Sequence, residues 1–248
     1  MKNVVIQGLG FVGLAMSVAV ASARDEKNDY LYNVTGLDLA SPEGKKKVSN
    51  INNGKFPLKS SDKLLEEYFH RCIEIGNLSA TTNPEIILEA DYVIVDINLD
   101  VDIKKTRGNI DFSGFAGAIE TIGEYLKKEA LVIIETTVPP GTTEKIVYPI
   151  LEKKFHQRYT SEILPMVAHS YERVMPGPNY FNSITNFWRV FAGCNRTSAI
   201  KCKEFLETII NIQDYELTEV MTTSASETAK IMENSYRALN IAFIDEWS

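Results

Sequence analysis

Lys230 and Asn234 stand four apart in the last segment of the chain, a spacing that puts both on one face of a helix. A cation and an amide held together stabilise an alkoxide as it develops on a substrate oxygen, which suits alcohol oxidation. Such pairs are also common as ordinary exposed helix residues. Glu135 to Thr143 reads ETTVPPGTT and follows an apolar run, so it leaves a buried strand at the carboxyl edge where ligands bind in α/β folds. A turn rich in Pro and Gly equally joins any strand to a helix. Glu172 to Gly177, ERVMPG, places a charged pair beside a Pro-Gly turn at another strand end, either as a sugar or phosphate site or as a salt-bridged loop. His70 and His156 fall in or beside amphipathic helices and read as surface or boundary residues, whereas His169 adjoins the Glu172 loop.

Gly8, Gly10 and Gly13 form GLGFVG directly after a short β-branched run. The first glycine permits a tight turn, the second lets a pyrophosphate approach the backbone, and the third lets helix and strand pack closely. The amides of the helix start, Phe11 and Val12 among them, then face the anion with the positive end of the dipole. Asp38 closes the next strand, 25 residues past Gly13, where a carboxylate accepts both ribose hydroxyls and repels a 2′-phosphate, favouring NAD over NADP. The alternatives are glycines that serve packing alone and an Asp38 that caps the turn at Ser41 and Pro42. Lys2, the apolar stretch to Ala21 and Ala21-Ser22-Ala23 also imitate a secretory signal, but the ordered glycines and the downstream acid argue against it.

Strands and helices alternate around these residues. Val4 to Gln7, Asn33 to Leu37, Asp91 to Ile97 and Ala130 to Thr136 read as strands, the last two so continuously apolar that both faces must be covered. Phe11 to Ala23, Leu64 to Ile75, Phe115 to Lys127 and Thr142 to Phe155 read as helices, with a polar insertion at Arg24 to Tyr30. Two later strands, near Ile163 to Ala168 and Trp188 to Ala192, precede a helix from Ser198 to Ile210. Ser224 with Glu227 is a capping-box signature opening a helix that runs to Trp247. The pattern predicts an α/β fold, a doubly wound mostly parallel sheet (Rossmann-like) followed by a long C-terminal helix.

Composition bounds the partners. With 26 Lys and Arg against 33 Asp and Glu, the 248-residue chain carries a net charge of −7 and no long basic run. It lacks the electrostatic footprint for nucleic acid or an anionic membrane. Cys72, Cys194 and Cys202 show neither disulfide-framework nor metal spacing, so no metal is expected and a reducing, cytoplasmic setting fits best.

The ordered set GLGFVG, Asp38, INNGKFPL at Ile51 to Leu58, ETTVPPGTT, ERVMPG and ETAKIMEN at Glu227 to Asn234 resembles the UDP-sugar 6-dehydrogenase family over nearly the whole chain. The resemblance implies oxidation of a sugar C6 alcohol to a carboxylate by two hydride transfers to NAD, through a cysteine thiohemiacetal and thioester. It implies that Thr137 positions a water and contacts cofactor, Glu172 assists acid-base steps, Lys230 stabilises the oxyanion and Asn234 completes that hole. The ERVMPG form is nearer to members acting on UDP-N-acetylhexosamines. A homodimer in the full-length form is implied as well.

Departures from the family pattern carry their own expectations. Its proline-containing turn after the fourth strand is replaced by Asp96-Ile97-Asn98-Leu99-Asp100, and Tyr171 stands where a proline is usual. The family's nucleophilic cysteine lies past the lysine helix, near a domain that binds UDP, whereas all three cysteines here precede Lys230. The expected organisation is a NAD-binding unit at 1–212 and the last strand and start of a central helix at 213–248. A UDP-binding domain is expected to be absent, and the chain is expected to bind NAD without completing the four-electron oxidation. Two rivals remain: a β-hydroxyacid dehydrogenase, which shares the Lys-Asn helix but lacks ETTVPPGTT and ERVMPG, and a non-catalytic NAD-binding module.

Overall fold

The computed structural model describes residues 1–99, 101–102, 109–160, 162–175 and 177–247. Asp100 and Pro176, named in motifs above, lie outside them. Elements run in the order β1 (Lys2–Gln7), α1 (Phe11–Ser22), β2 (Tyr32–Leu37), α2 (Pro42–Asn52), α3 (Lys63–Ile75), β3 (Leu78–Thr81), β4 (Tyr92–Val95), β5 (Val101–Asp102) and β6 (Asn109–Ile110). There follow α4 (Ser113–Tyr125), β7 (Leu131–Ile134), α5 (Tyr148–His156), β8 (Met166–Ser170), α6 (Asn182–Thr185), β9 (Arg189–Gly193), α7 (Arg196–Glu207), β10 (Leu217–Glu219) and α8 (Thr223–Trp247).

Eight strands form one sheet in the order β10-β9-β8-β7-β4-β1-β2-β3. Neighbours are parallel except for the antiparallel pair β8–β9, so the Rossmann-like, mostly parallel expectation holds. The chain winds outward through β2 and β3, then returns to lay β4 on the other side of β1. That reversal makes the gap between β1 and β4 the topological switch point, where such sheets bind ligands.

Alternation along the strands feeds two cores. Val4, Ile6, Ile94, Leu131 and Ile133 pack into one with α1, α3 and α7. Val5, Val93, Val95, Val132 and Ile134 pack into the other with α4 and α5. A period of two with both faces covered is the physical content of those uninterrupted apolar runs. The stretch that imitates a signal peptide is β1 and α1, and α1 is buried continuously from Gly13 to Ala21.

Several elements differ from their sequence-based bounds. β8 starts at Met166 rather than Ile163, because Pro165 has no N–H to give to a ladder. The helix expected from Thr142 opens with a π turn over Thr143–Val147. The capping-box reading of α8 is corrected: Thr222 Oγ1 accepts the Ala225 N–H at 3.1 Å, Ser224 lies inside the helix, and Glu227 is used elsewhere.

Candidate functional site

The turn after β1 has the shape an anion cradle needs. Gly8 sits at φ +101°, and a Cβ there would come within 2.5 Å of the Asp96 carbonyl oxygen. A Cβ on Gly13 would lie 1.8 Å from the Gly8 carbonyl oxygen, so α1 meets β1 as closely as backbones allow. Gly10, the N-cap of α1, has no side-chain cap and nothing within 4 Å of a Cβ position. The amides of Phe11 and Val12 therefore open onto free space at the positive end of the helix. Phe11 is half-exposed, and its carbonyl accepts the Tyr180 hydroxyl, which pins the helix start to the segment before α6.

Two adjoining clefts flank this turn. One, of about 540 Å³, is lined by Gln7, Gly8, Gly10, Asp38, Leu39 and Lys47 among others. Asp38 Oδ1 accepts the Leu39 N–H at 2.8 Å and Oδ2 accepts Lys47 Nζ at 2.9 Å. The following helix is capped by Ser41, not by Asp38. The second cleft, of about 500 Å³, is lined by Gly10, Phe11, Val12, Asp96, Glu135, Thr136, Thr137 and Glu172 among others. Thr137 is exposed within it, just past β7, while Thr136 is buried and ties two strand ends together: its Oγ1 donates to Val95 O and accepts from Ile97 N–H, both at 3.0 Å. Gly10, Lys47, Asp96, Ile97 and Asn98 line both clefts. Asp96, Ile97 and Asn98, at the start of the stretch that stands where the family has its proline turn, thus form the divide between them.

Charged groups converge beneath the second cleft. Lys230 Nζ donates to the Glu172 carbonyl and, at 3.2 Å, to Glu172 Oε1, so the cation and acid expected to act separately form one buried pair. Asn234, a turn further along α8, is exposed. Arg189 pairs with Glu135 at 3.0 Å, and both side chains are at most 1% exposed. The antiparallel run of β9 brings Arg189 to the edge where β7 ends. Burial raises the Glu135 carboxyl while Arg189 pulls it down.

His169, on β8, is fully buried, with Nδ1 2.8 Å from Ser226 Oγ. Burial, helped by Lys230, lowers its pKa to about 3, so the ring stays neutral. The cysteines are poor nucleophiles as they stand. Burial raises all three thiols, Cys194 to about 12.

The Thr137 turn is locked from α8. Glu227 accepts N–H donations from Gly141 and, at 2.7 Å, from Thr143. None of Glu227, Glu135, Arg189, Asp96 and Lys47 was given a role of its own at the site from the sequence, where Glu227 read as a helix cap. Arg189 had a signal: a charged residue inside a predicted buried strand requires a partner. Glu227 had a misleading one, since its capping-box spacing hid its long-range use.

Comparison with known proteins settles the family. The NAD-binding domain of the UDP-glucose/GDP-mannose dehydrogenase family matches residues 2–236. The chain belongs to that family. It is 32% identical over 247 residues to UDP-N-acetyl-D-mannosamine dehydrogenase of Methanocaldococcus jannaschii, covering all of this chain and 51% of that protein. Against UDP-N-acetyl-D-glucosamine 6-dehydrogenase of Salmonella typhi, identity is 28% over 244 residues, with 98% of this chain and 51% of that protein covered. The crystal structure of NDP-N-acetyl-D-galactosaminuronic acid dehydrogenase from Methanosarcina mazei superposes with a TM-score of 0.84 at 29% identity, covering 99% of this chain and 49% of that one. The chain thus spans about half the length of the curated relatives it matches. As the NAD-binding domain of a UDP-glucose/GDP-mannose dehydrogenase family member, it takes NAD as its dinucleotide, and the open amides at Gly10 to Val12 and the carboxylate at Asp38 fit that group. Among the described residues, no helix is long and apolar enough to cross a membrane.

Proposed function

We propose that the chain, as residues 1–212 with the strand and helix of 213–248, is the cofactor half of an enzyme that oxidises the C6 alcohol of a UDP-sugar to the uronate. A UDP-N-acetylhexosamine is the substrate class that the ERVMPG motif and the relatives' names support. The observation that carries the reading is the alignment of four elements across the sheet's switch point: the Gly8–Gly13 turn, Asp38, Thr137, and the Glu172–Lys230 pair. Asp38 would hold the adenosine ribose, Gly8, Gly10, Phe11, Val12 and Gly13 the pyrophosphate, and Thr137 the nicotinamide end. NAD supplies the hydride acceptor.

The protein groups do the rest. Lys230 presents a fixed positive charge toward an oxygen that gains negative charge, and Glu172, held by it, takes and returns protons at the cleft floor. Thr137 carries a hydroxyl that orients a water. Asn234 would join the oxyanion hole only if the cleft closes over α8. The thiol nucleophile that family members use has no counterpart among Cys72, Cys194 and Cys202.

A helix-mediated homodimer is part of the proposal. Met232, Tyr236, Leu239, Phe243 and Trp247 are exposed along α8, Trp247 by 81%, more apolar surface than a solvated helix face carries.

Titration with NAD and NADP, followed by assay with UDP-N-acetylhexosamines, tests the reading. Tight NAD binding with weak NADP binding and no uronate formed is the expected result. Failure to bind NAD, or uronate production by this chain alone, overturns it.

A further inference from the structure

Of the three acids that line the second cleft, Asp96, Glu135 and Glu172, one is left over when the charges are paired. Lys47 is bound to Asp38 at 2.9 Å, Arg189 to Glu135 at 3.0 Å and Lys230 to Glu172 at 3.2 Å. Each of these cations already has its carboxylate. Asp96 has no such partner: it is buried, lines both clefts, and neither carboxylate oxygen has a hydrogen-bond partner among the described residues. Its position is fixed. The Asp96 N–H donates to Gln7 O at 2.8 Å, and a Cβ on Gly13 would lie 3.1 Å from the Asp96 Cβ. Ionised, Asp96 would be an uncompensated buried charge beside two other acids, which costs several kcal/mol.

We propose that Asp96 senses the charge of the cofactor: it holds a proton when no dinucleotide is bound and releases it to solvent when the cationic ring of oxidised NAD supplies the missing countercharge. Reduced NAD, whose ring is neutral, leaves the proton in place. The inference rests on the NAD reading above. Asp38 at one end and the glycine turn between the clefts direct the nicotinamide to the cleft of Thr137 and Glu172, which Asp96 also lines.

The surroundings favour the neutral acid. Burial is the main cause that raises the Asp96 carboxyl well above the ordinary range. Glu135 at the end of β7 and Glu172 after β8 add to the rise, while Arg189 on β9 and Lys230 on α8 oppose it. The hydroxyl of Tyr180, on the segment before α6, is itself raised by burial and by Glu172 and Asp96, and stays neutral. On release the carboxyl O–H bond breaks with its electron pair left on oxygen, the proton goes to buffer, and no redox change occurs at Asp96.

The two redox forms of NAD differ here in ring charge, so comparing them isolates the effect. Isothermal titration calorimetry of the full chain, repeated in buffers of different ionisation heat between about pH 6 and 8, counts protons released on binding. Oxidised NAD should release a fraction approaching one proton per site, with affinity rising up to about tenfold per pH unit, and reduced NAD close to none. Asp96→Asn, nearly isosteric, should abolish the difference. Equal release by the two forms, or undiminished release by Asp96→Asn, overturns the inference while leaving the NAD reading intact. If neither form binds, both fall together. The comparison in the unsubstituted chain decides the matter even if the variant folds poorly.

Discussion

Glu227 and Thr143, 84 positions apart in the chain, are joined by a hydrogen bond of 2.7 Å from the Thr143 N–H to Glu227 Oε1, and the Gly141 N–H occupies the other carboxylate oxygen. One side chain on α8 thus caps the turn that carries Thr137, one helical turn before Lys230 reaches Glu172. The site's two halves are set by a single helix.

This relationship predicts the effect of Glu227→Gln. A carboxamide can accept one of the two N–H groups but presents a donor to the other, leaving a buried clash of donors. Unfolding free energy should fall by about 1–3 kcal/mol, and amide exchange at Gly141 and Thr143 should accelerate while the core strands stay protected. Unchanged exchange at these two amides would show that the carboxylate does not hold the turn.

The glycines of the cradle separate binding from folding. A Cβ on Gly10 meets nothing within 4 Å, and the β-region backbone at φ −80° tolerates a side chain, so in Gly10→Val the melting temperature should hold while NAD affinity drops at least about tenfold, or ~1.4 kcal/mol. Gly13→Val meets the Gly8 carbonyl at 1.8 Å and should destabilise the fold by about 1–3 kcal/mol or more. If Gly10→Val leaves NAD affinity intact, the dinucleotide does not approach this backbone.

Arg189 makes a charge-pairing prediction. With Glu135 wholly buried against it, Arg189→Met strands a carboxylate and should cost about 3–5 kcal/mol in denaturant unfolding. Arg189→Met combined with Glu135→Gln should recover much of that loss, since neither charge then remains. A double variant no more stable than Arg189→Met would mean that the pair is not the source of the cost.

These cases show what was legible in the sequence. Gly8, Gly13 and the apolar runs of β4 and β7 speak through local geometry and period, so the sheet and the phosphate turn could be read from spacing alone. Asp38 was placed correctly at the end of β2, but its ion pair with Lys47 was not, because Lys47 is one of three successive lysines whose facing depends on α2, an element not foreseen. Arg189, Glu227 and Asp96 act across the sheet edge, where partners come from strands far apart in the chain. Register and strand order decide such contacts, and a single sequence does not display them. The pairing of Lys230 with Glu172 was hidden for the same reason, although each residue was singled out on its own.

His169 sets the acid limit of the fold. The folded ring stays neutral down to about pH 3, whereas the unfolded ring protonates near 6.5. Between those values the unfolded state binds more protons, so stability rises with pH and is lost as pH falls, by about 1.4 kcal/mol per unit at most. Asp96 works in the opposite sense: its raised folded pKa means the folded state holds the extra proton above the unfolded value of 3.8, and stability from this group declines as pH rises. Glu135 and Glu227, whose carboxyls burial also raises, act in the same sense as Asp96, so the histidine slope opposes those of the buried acids in mildly acidic solution. His169→Gln retains a polar side chain near Ser226 and removes the histidine slope. Its unfolding free energy, measured in denaturant from pH 4 to 6, should therefore fall more steeply with rising pH than the parent's, the two profiles diverging by up to about 1.4 kcal/mol per unit. Parallel profiles for the two proteins would mean that His169 is charged in the fold, contrary to its burial.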